Sequence, residues 1–276
     1  MTAALQASGL TKTYGSTTAL DGIDLTVAVG ESIAIMGASG SGKTTLLHCL
    51  AGIVTPDAGS VCLTTPAGPV LVSELGDKQR SALRRSAFGF VFQQGLLIPE
   101  LTAVENVALP LMLGGMARPA AEQHAGSWLA ALGLSDKLGS RIGELSGGQA
   151  QRVAIARAQV AAPAVVFADE PTGALDSHTS TEVMDALIGS TTAQGRTLVV
   201  VTHDEDVAAR CSRIVRLRDG RIVESRARVG VDGEMQLIQT PGSGTAARGT
   251  VPVGVAPPTG AAARNVDAAV GEAGHA

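Results

Sequence analysis

Residues 37–44 read Gly-Ala-Ser-Gly-Ser-Gly-Lys-Thr, and this octapeptide decides the fold. It fits the pattern Gly-x4-Gly-Lys-Ser/Thr, which forms a phosphate-binding loop where it joins a strand to a helix. The context is the required one, because an apolar run over 31–36 precedes it and a helical pattern over 43–50 follows. Glycines let successive N–H groups point at phosphate oxygens, and the helix N-terminus adds partial positive charge. The sequence therefore predicts a nucleotide site.

Two residues at the end of the loop have separate roles in binding the nucleotide. Lys43 can bridge the terminal phosphates, and the Thr44 hydroxyl can ligate Mg²⁺. A Gly/Ser-rich loop without a ligand is the alternative, which the strand and helix on either side disfavour. The predicted phosphate cradle consists of Gly37, Ala38, Ser39, Gly40, Ser41, Gly42, Lys43, Thr44 and Thr45.

The second motif is an apolar strand that ends in two acidic residues. Residues 165–170 read Val-Val-Phe-Ala-Asp-Glu. We expect Asp169 to lie beside the phosphate loop and hold Mg²⁺, and Glu170 to polarise an attacking water as general base. A strand that ends in two acids is usually just a solvated strand end. In combination with the loop it indicates hydrolysis of the nucleotide.

Strand-like and helix-like patterns alternate over residues 1–228. The alternation over 20–29 is typical of a half-buried antiparallel strand, and the runs over 164–168 and 197–201 are typical of buried parallel strands. Asp219-Gly220 favours a type I′ hairpin between residues 214–217 and 221–223. The fold class is therefore α/β, with a central, mostly parallel sheet and an antiparallel β subdomain at its edge.

The remaining segments are a helical section and a C-terminal tail. The helical subdomain is predicted over about 74–162, with helices at 78–85, 117–132 and 147–161. Residues 229–276 are rich in Gly, Ala and Pro, a composition that buries too little apolar surface to offset the entropy of ordering. We expect a disordered tail there, with a partner-binding arm as the alternative.

Composition excludes several classes of protein. The chain has 276 residues, with 21 Lys and Arg against 25 Asp and Glu, and this net charge of -4 disfavours non-specific nucleic-acid binding. A positive mean hydropathy invites a membrane interpretation, but a span needs about 20 consecutive apolar residues. The most apolar stretch, 101–115, carries Glu105, Asn106 and Pro110, and residues 1–15 lack the features of a signal peptide. Three scattered cysteines indicate reduced, packed thiols.

Residues 145–149, Leu-Ser-Gly-Gly-Gln, resemble the signature motif of the ATP-binding-cassette (ABC) ATPases, and their order relative to the other motifs matches that family. The resemblance covers about residues 5–228 and implies an ATPase with a P-loop NTPase fold that uses ATP and Mg²⁺. It also implies a head-to-tail homodimer with two ATP molecules at its interface, in which the signature of one subunit closes over the nucleotide of the other. The signature residues are Ser146, Gly147, Gly148 and Gln149. Ala150 departs from the commonest pattern, beyond the phosphate-facing turn.

Four further roles are implied by the same resemblance. Gln93, with Gln94 as the neighbouring alternative, resembles the glutamine that senses Mg²⁺ and the terminal phosphate. Asp176 resembles the loop that crosses the dimer interface, and His203 the histidine that contacts the terminal phosphate. Tyr14 matches the aromatic residue that stacks on adenine. A histidine at a strand end or a lone tyrosine is otherwise an ordinary surface or packing residue.

The biological role follows from two stretches, 101–111 and 169–177. They resemble the macrolide-export, lipoprotein-release and antimicrobial-peptide-resistance subfamily, which implies a motor at the cytoplasmic face of the membrane, bound peripherally to a separate permease. The permease is expected to dock against residues 96–113. A nutrient importer, a cell-division regulator and a soluble DNA-repair or translation cassette are the alternatives.

Overall fold

A computed structural model describes residues 2–93, 95–229 and 234–239 of the chain. The strands are β1 (Ala3–Tyr14), β2 (Thr17–Ala28), β3 (Ser32–Met36), β4 (Ala58–Thr65), β5 (Gly68–Leu71), β6 (Phe88–Phe92), β7 (Val165–Asp169), β8 (Thr197–Thr202), β9 (Arg213–Arg218), β10 (Arg221–Val229) and β11 (Glu234–Gln239). The helices are α1 (Lys43–Leu50), α2 (Asp77–Ala87), α3 (Ala103–Leu113), α4 (Arg118–Ala131), α5 (Gly147–Gln159), α6 (Ser177–Thr192) and α7 (Glu205–Ala208).

A seven-stranded mixed sheet in the order β11-β10-β9-β3-β8-β7-β6 carries the phosphate loop. The five strands from β9 to β6 are parallel, and β3 and β8 are buried along their whole length. Their β-branched, apolar composition suits strands that are covered on both faces. The predicted hairpin is confirmed, because Asp219 and Gly220 have φ values of 50° and 72°, as a type I′ turn requires.

A four-stranded antiparallel sheet, β2-β1-β4-β5, packs against this sheet around Leu10, Ile35 and Phe167. The strand predicted over 20–29 is β2, while β1, β4 and β5 were not predicted. Polar residues interrupt the apolar alternation of β1, and β1 and β4 cross so closely that a Cβ on Gly59 would lie 2.4 Å from the Gly9 carbonyl oxygen. This contact depends on tertiary packing, which local periodicity does not encode.

The helices predicted over 78–85, 117–132 and 147–161 are α2, α4 and α5. The prediction of a helical section from 74 to 162 is wrong in one respect, because it contains β6, which pairs in parallel with β7 in the main sheet. A five-residue run of Phe-Gly-Phe-Val-Phe is apolar on both faces and fills the edge position beside β7. Helices α3, α4 and α5 form a separate apolar cluster around Val107, Leu129 and Val153.

The predicted boundary of the disordered tail, 229–276, also needs correction. Glu234–Gln239 forms β11, which extends the main sheet by antiparallel pairing with β10. Its Met235 packs against the core, and the free edge of β10 supplies the hydrogen-bonding groups that make a strand favourable there. Residues 230–233 and 240–276, which make up the rest of the predicted tail, lie outside the described residues.

Two further expectations concern the membrane and the thiols. Across residues 2–93, 95–229 and 234–239, no helix has both the length and the apolar character that a bilayer crossing requires. Cys49 and Cys211 are buried, and burial raises the pKa of their thiols to about 11 and about 12. These two thiols are therefore protonated and packed as small apolar groups at neutral pH.

The Phe167 side chain packs β7 against β6, so its removal measures how much this packing stabilises the core. It is 1% exposed, meets Phe88 edge-on at 5.2 Å and stacks on Phe90 at 5.7 Å. We expect Phe167→Ala to lower the free energy of unfolding by about 3–5 kcal/mol, measured by urea denaturation of the full chain. Leu71→Ala, at an exposed position of β5, is the control and should change it by no more than about 0.5 kcal/mol. Equal losses for the two variants would contradict this packing.

Candidate active site

The phosphate loop leaves β3 and enters α1 through a turn that only glycine fits at two positions. A Cβ on Gly37 would lie 2.4 Å from the Leu217 carbonyl oxygen, and one on Gly42 would lie 2.2 Å from the Ala19 carbonyl oxygen. Gly42 also has a φ of 100°, a conformation that other residues rarely adopt. The loop is thus held tightly against β2 and β9, with its inner side free.

Lys43 folds back across the loop and is 9% exposed. Its Nζ donates to the carbonyl oxygens of Gly37 and Ala38 at 2.8 and 3.0 Å. The Ser41 hydroxyl oxygen is buried and has no hydrogen-bond partner among the described residues. A buried ammonium held only by carbonyl oxygens and an unpaired hydroxyl are both suited to phosphate oxygens, which would satisfy them more strongly.

An open cavity of about 690 Å³ brings the loop together with residues from three other strand ends. It contains most of the predicted cradle together with Glu170 and His203, whereas Gln93 and Asp169 do not line it. Gly37 and Ser41 belong to the loop but do not line the cavity. Its lining consists of Ala19, Ala38, Ser39, Gly40, Gly42, Lys43, Thr44, Thr45, Glu170 and His203.

Glu170 is held in a strained conformation at the edge of this cavity. Its φ is 47°, in the left-handed region, and backbone hydrogen bonds from Glu170 to Val201 and from Gly173 to Glu170 fix the segment. The Glu170 Oε1 atom lies 2.9 Å from His203 Nδ1, and Oε2 accepts from the Thr202 hydroxyl at 3.3 Å. A carboxylate oriented in this way can polarise a water molecule, and strain of this kind is concentrated at functional sites.

The surroundings of Asp169 suit the binding of a cation. Its Oδ1 atom is buried without a hydrogen-bond partner in the described part of the chain. Burial raises the pKa of Asp169, and the nearby charge of Glu170 adds to the rise, while His48, Lys43 and the Thr44 hydroxyl oppose it. A carboxylate and a hydroxyl beside phosphate oxygens form a donor set that Mg²⁺ prefers. The residues present therefore fit the predicted metal.

Gln93 follows the end of β6, and its amide packs against the loop after Glu170. A Cβ on Gly173 would lie 2.8 Å from Gln93 Nε2, so a larger residue at 173 would require the Gln93 side chain to move. The Gln151 side chain of α5 donates to the Phe92 carbonyl oxygen at 3.0 Å and anchors the strand end beside Gln93. Gln94, the alternative position, is outside the described residues.

The predicted signature lies away from the cavity, at the N-terminus of α5. Ser146 and Gln149 form a capping box, with the Gln149 N–H donating to Ser146 Oγ at 3.3 Å and the Ser146 N–H to Gln149 Oε1 at 2.9 Å. Ser146 and Gly147 are exposed, whereas Gly148 packs against Thr179. This helix end presents N–H groups to the surface, where another chain can reach them.

Asp176 and Tyr14 also lie outside the cavity lining. Asp176 caps α6 by accepting from the Thr179 N–H at 3.0 Å and from its hydroxyl at 2.7 Å. Tyr14 is at the tip of the β1–β2 hairpin and is 51% exposed, with the Lys12 ammonium over its ring. Ala19, on the same hairpin, lines the cavity.

Three functional neighbours were missed by sequence reasoning. Ala19 lines the cavity and has no chemical signature, whereas the Thr202 hydroxyl donates to Glu170 and also accepts from the Asp204 N–H at 3.0 Å. His48, on α1, acts to lower the pKa of Asp169. A polar residue at the carboxyl end of a buried strand was the available signal for Thr202, which directly precedes His203.

Known proteins resemble this chain over the region that contains the phosphate loop, the signature and Glu170. A protein-family model described as "ABC transporter" matches residues 20–173. The lipoprotein-releasing system ATP-binding protein LolD of Geobacter metallireducens is 48% identical over 227 residues, which cover 81% of this chain and 99% of the relative. The macrolide export ATP-binding/permease protein MacB of Nitrosomonas europaea is 47% identical over 224 residues, covering 79% of this chain and 33% of the relative.

Solved structures give the same result. The dimeric ATP-binding cassette MJ0796, in a post-hydrolysis state bound to ADP and Pi, matches with a TM-score of 0.74 and 39% identity. The match covers 82% of this chain and 99% of that one. The same identity and coverage hold for a second dimeric structure, described as a bacterial ABC transporter cassette.

The metal site can be tested at Asp169. We expect Asp169→Asn to weaken binding of Mn²⁺, used as a paramagnetic substitute for Mg²⁺, by about 10- to 100-fold in the nucleotide complex, because the variant loses a charged ligand. The measurement is electron paramagnetic resonance of free and bound Mn²⁺. Asp185→Asn, which removes an exposed carboxylate paired with Arg210, is the matched control and should bind Mn²⁺ normally. Normal binding by Asp169→Asn would remove Asp169 from the site.

Proposed function

The chain belongs to the ABC transporter family, and from that premise we propose that it drives a separate membrane permease in a release or export system. It is an ATP-binding and ATP-hydrolysing cassette. We also propose roles for individual residues, a form of assembly and a class of cargo. The observation that carries the proposed ATPase mechanism is one cavity lined by the phosphate loop, Glu170 and His203.

In the proposed mechanism, ATP phosphates lie along the inner side of the loop. Lys43 exchanges its two carbonyl contacts for phosphate oxygens, and the α1 N-terminus adds positive charge. Glu170 orients and polarises the attacking water, and His203, which lies within hydrogen-bonding distance of that carboxylate, contacts the terminal phosphate. Thr44, Asp169 and Gln93 would hold Mg²⁺, whose chemistry when bound is to offset phosphate charge.

The assembly is proposed to be a homodimer that sandwiches two ATP molecules. The exposed N-terminus of α5 and the cap at Asp176 lie outside the cavity of their own chain, so a second copy is needed to bring them to the nucleotide. The relative of known structure is dimeric in its ADP and Pi state, which supports this arrangement. Each chain would then supply the loop of one site and the signature of the other.

A groove of about 230 Å³ is the proposed docking site of the permease. Its apolar lining comes from β6, α3 and α5, and includes Phe88, Phe90, Leu109 and Leu113. The groove adjoins Gln93 through Phe92, and Gln93 contacts the loop that follows Glu170, which would connect the docked segment to the catalytic residue. An apolar helix of the membrane subunit fits this shape and chemistry.

The charges around this groove specify the partner further. Arg84, Arg85 and Arg157 line it, and none of the three forms an ion pair within the described residues. Arg157 donates to the carbonyl oxygens of Gly95 and Leu96, and desolvation lowers the pKa of its guanidinium. We therefore expect the docked helix to carry at least one carboxylate.

The cargo class rests on the relatives. The names of the two relatives above refer to lipoprotein release and to macrolide export. They support a release or export function over the three alternatives, namely a nutrient importer, a cell-division regulator and a soluble DNA-repair or translation cassette. With this function, the chain would lie peripherally at the cytoplasmic face of the membrane and would not touch the cargo.

Glu170→Gln tests the hydrolytic role. We expect ATP binding to persist while the rate of phosphate release falls by about 100-fold or more, because the amide cannot accept a proton. An ATP-bound dimer should then accumulate, as measured by light scattering on a sizing column. Glu205→Gln, which breaks an exposed ion pair with Arg216, is the control and should keep wild-type turnover. Wild-type turnover by Glu170→Gln would instead assign the base to another group.

Leu113→Arg tests the groove. Leu113 is 66% exposed, so the change should leave folding and ATP binding intact while it adds positive charge to a site already rich in arginine. We expect the variant to leave the membrane fraction of its own cells, as measured by immunoblotting after sedimentation. Leu71→Arg, on the exposed edge strand β5, should remain with the membranes. Retention of both variants would count against docking at this groove.

A further inference from the structure

The loop before β4 is tied to the end of β1 by one carboxylate. Asp57 Oδ1 accepts from Lys12 Nζ at 2.7 Å, and Oδ2 accepts from the Thr13 N–H at 2.7 Å. The Asp57 N–H in turn donates to the Thr11 carbonyl oxygen at 2.8 Å. Three consecutive residues of β1 are therefore fixed by a single residue, immediately before Tyr14.

Lys12 extends this anchor to the Tyr14 ring. The Lys12 ammonium sits over the Tyr14 ring, 5.6 Å from its centroid, within the range of a cation–π contact. One face of the ring is thus covered by a cation that Asp57 holds in place.

The hairpin tip needs such an anchor. Tyr14 is half-exposed and pairs with Thr17 across a tight turn at Gly15, whose φ is 58°. The buried core residues of β1 end at Leu10, so apolar packing does not fix the ring. The contacts of Asp57 and Lys12 supply the orientation that the core cannot.

We propose that Asp57 and Lys12 are positioning residues that hold Tyr14 as a platform for the adenine base. This inference rests on the proposed function, in which Tyr14 stacks on ATP. Lys12 covers one face of the ring, and the base stacks on the other. The pair therefore controls the affinity for the base and leaves the phosphate loop untouched.

The charges of this anchor persist at neutral pH. The hydrogen bond from Lys12 and that from the Thr13 N–H lower the pKa of Asp57, and the same bond to Asp57 raises the pKa of Lys12. β1 also contacts α1, the helix that begins at the phosphate loop. The platform is thus held at a fixed position relative to that helix.

The test compares two ligands that differ in the base. Calorimetry with the full chain would measure binding of a non-hydrolysable ATP analogue and of inorganic tripolyphosphate, each with Mg²⁺. We expect Asp57→Asn and Lys12→Met to weaken binding of the analogue by about two- to fivefold, the range of an exposed cation–π contact, with no change for tripolyphosphate. Asp136→Asn, which breaks the exposed pair with Lys137, is the matched control and should change neither affinity.

A double-variant cycle makes the assignment specific. In a Tyr14→Ala background, Asp57→Asn should have no further effect, because the platform is already absent. The inference is overturned if both single variants bind the analogue normally, if they weaken both ligands equally, or if the effect survives in Tyr14→Ala. If Tyr14→Ala itself fails to distinguish the two ligands, the adenine role of Tyr14 in the proposed function fails and this inference falls with it.

Discussion

The parallel pairing of β3, β8 and β7 is the constraint on which the site depends. Met36 pairs with Thr202 and Asp169 pairs with Val201, so three strands end at the same level of the sheet. The phosphate loop follows β3 and His203 follows β8, while Asp169 is the last residue of β7 and Glu170 comes next. A shift of one residue in any of the three strands would turn its side chains to the opposite face of the sheet. The chemistry is therefore set by backbone hydrogen bonds in a fully buried layer.

Features that depend on a few neighbouring residues could be predicted from the sequence, whereas features that depend on tertiary packing could not. The phosphate loop, the strand that ends in Asp169, and the Asp219-Gly220 hairpin each carry their signal within a few residues. β6 was missed because Phe88–Phe92 becomes a strand only beside β7, and its three aromatic rings contact a core that the pattern cannot reveal. β11 was missed because its stability comes from the edge of β10 rather than from its own composition.

The candidate site divides in the same way. Glu170 was assigned from its position at a strand end and His203 from the family resemblance, and the structure brings them into hydrogen-bonding distance. Ala19 lines the cavity, and Thr202 forms a second hydrogen bond to Glu170. No motif in the sequence singles out either residue. The exposed end of α5 has a readable cap, but its distance from the cavity is visible only in three dimensions. This separation is the physical reason for the proposal that two chains form each complete site.

The left-handed backbone at Glu170 sets stability against activity at one position. A glycine there would adopt the same conformation without the strain that a side chain adds. It would also remove the carboxylate that we propose as the base. Under that role, relief of backbone strain and turnover of ATP make opposite demands on residue 170. Among substitutions that raise the melting temperature of such a cassette, those at this strand end should be the least compatible with turnover.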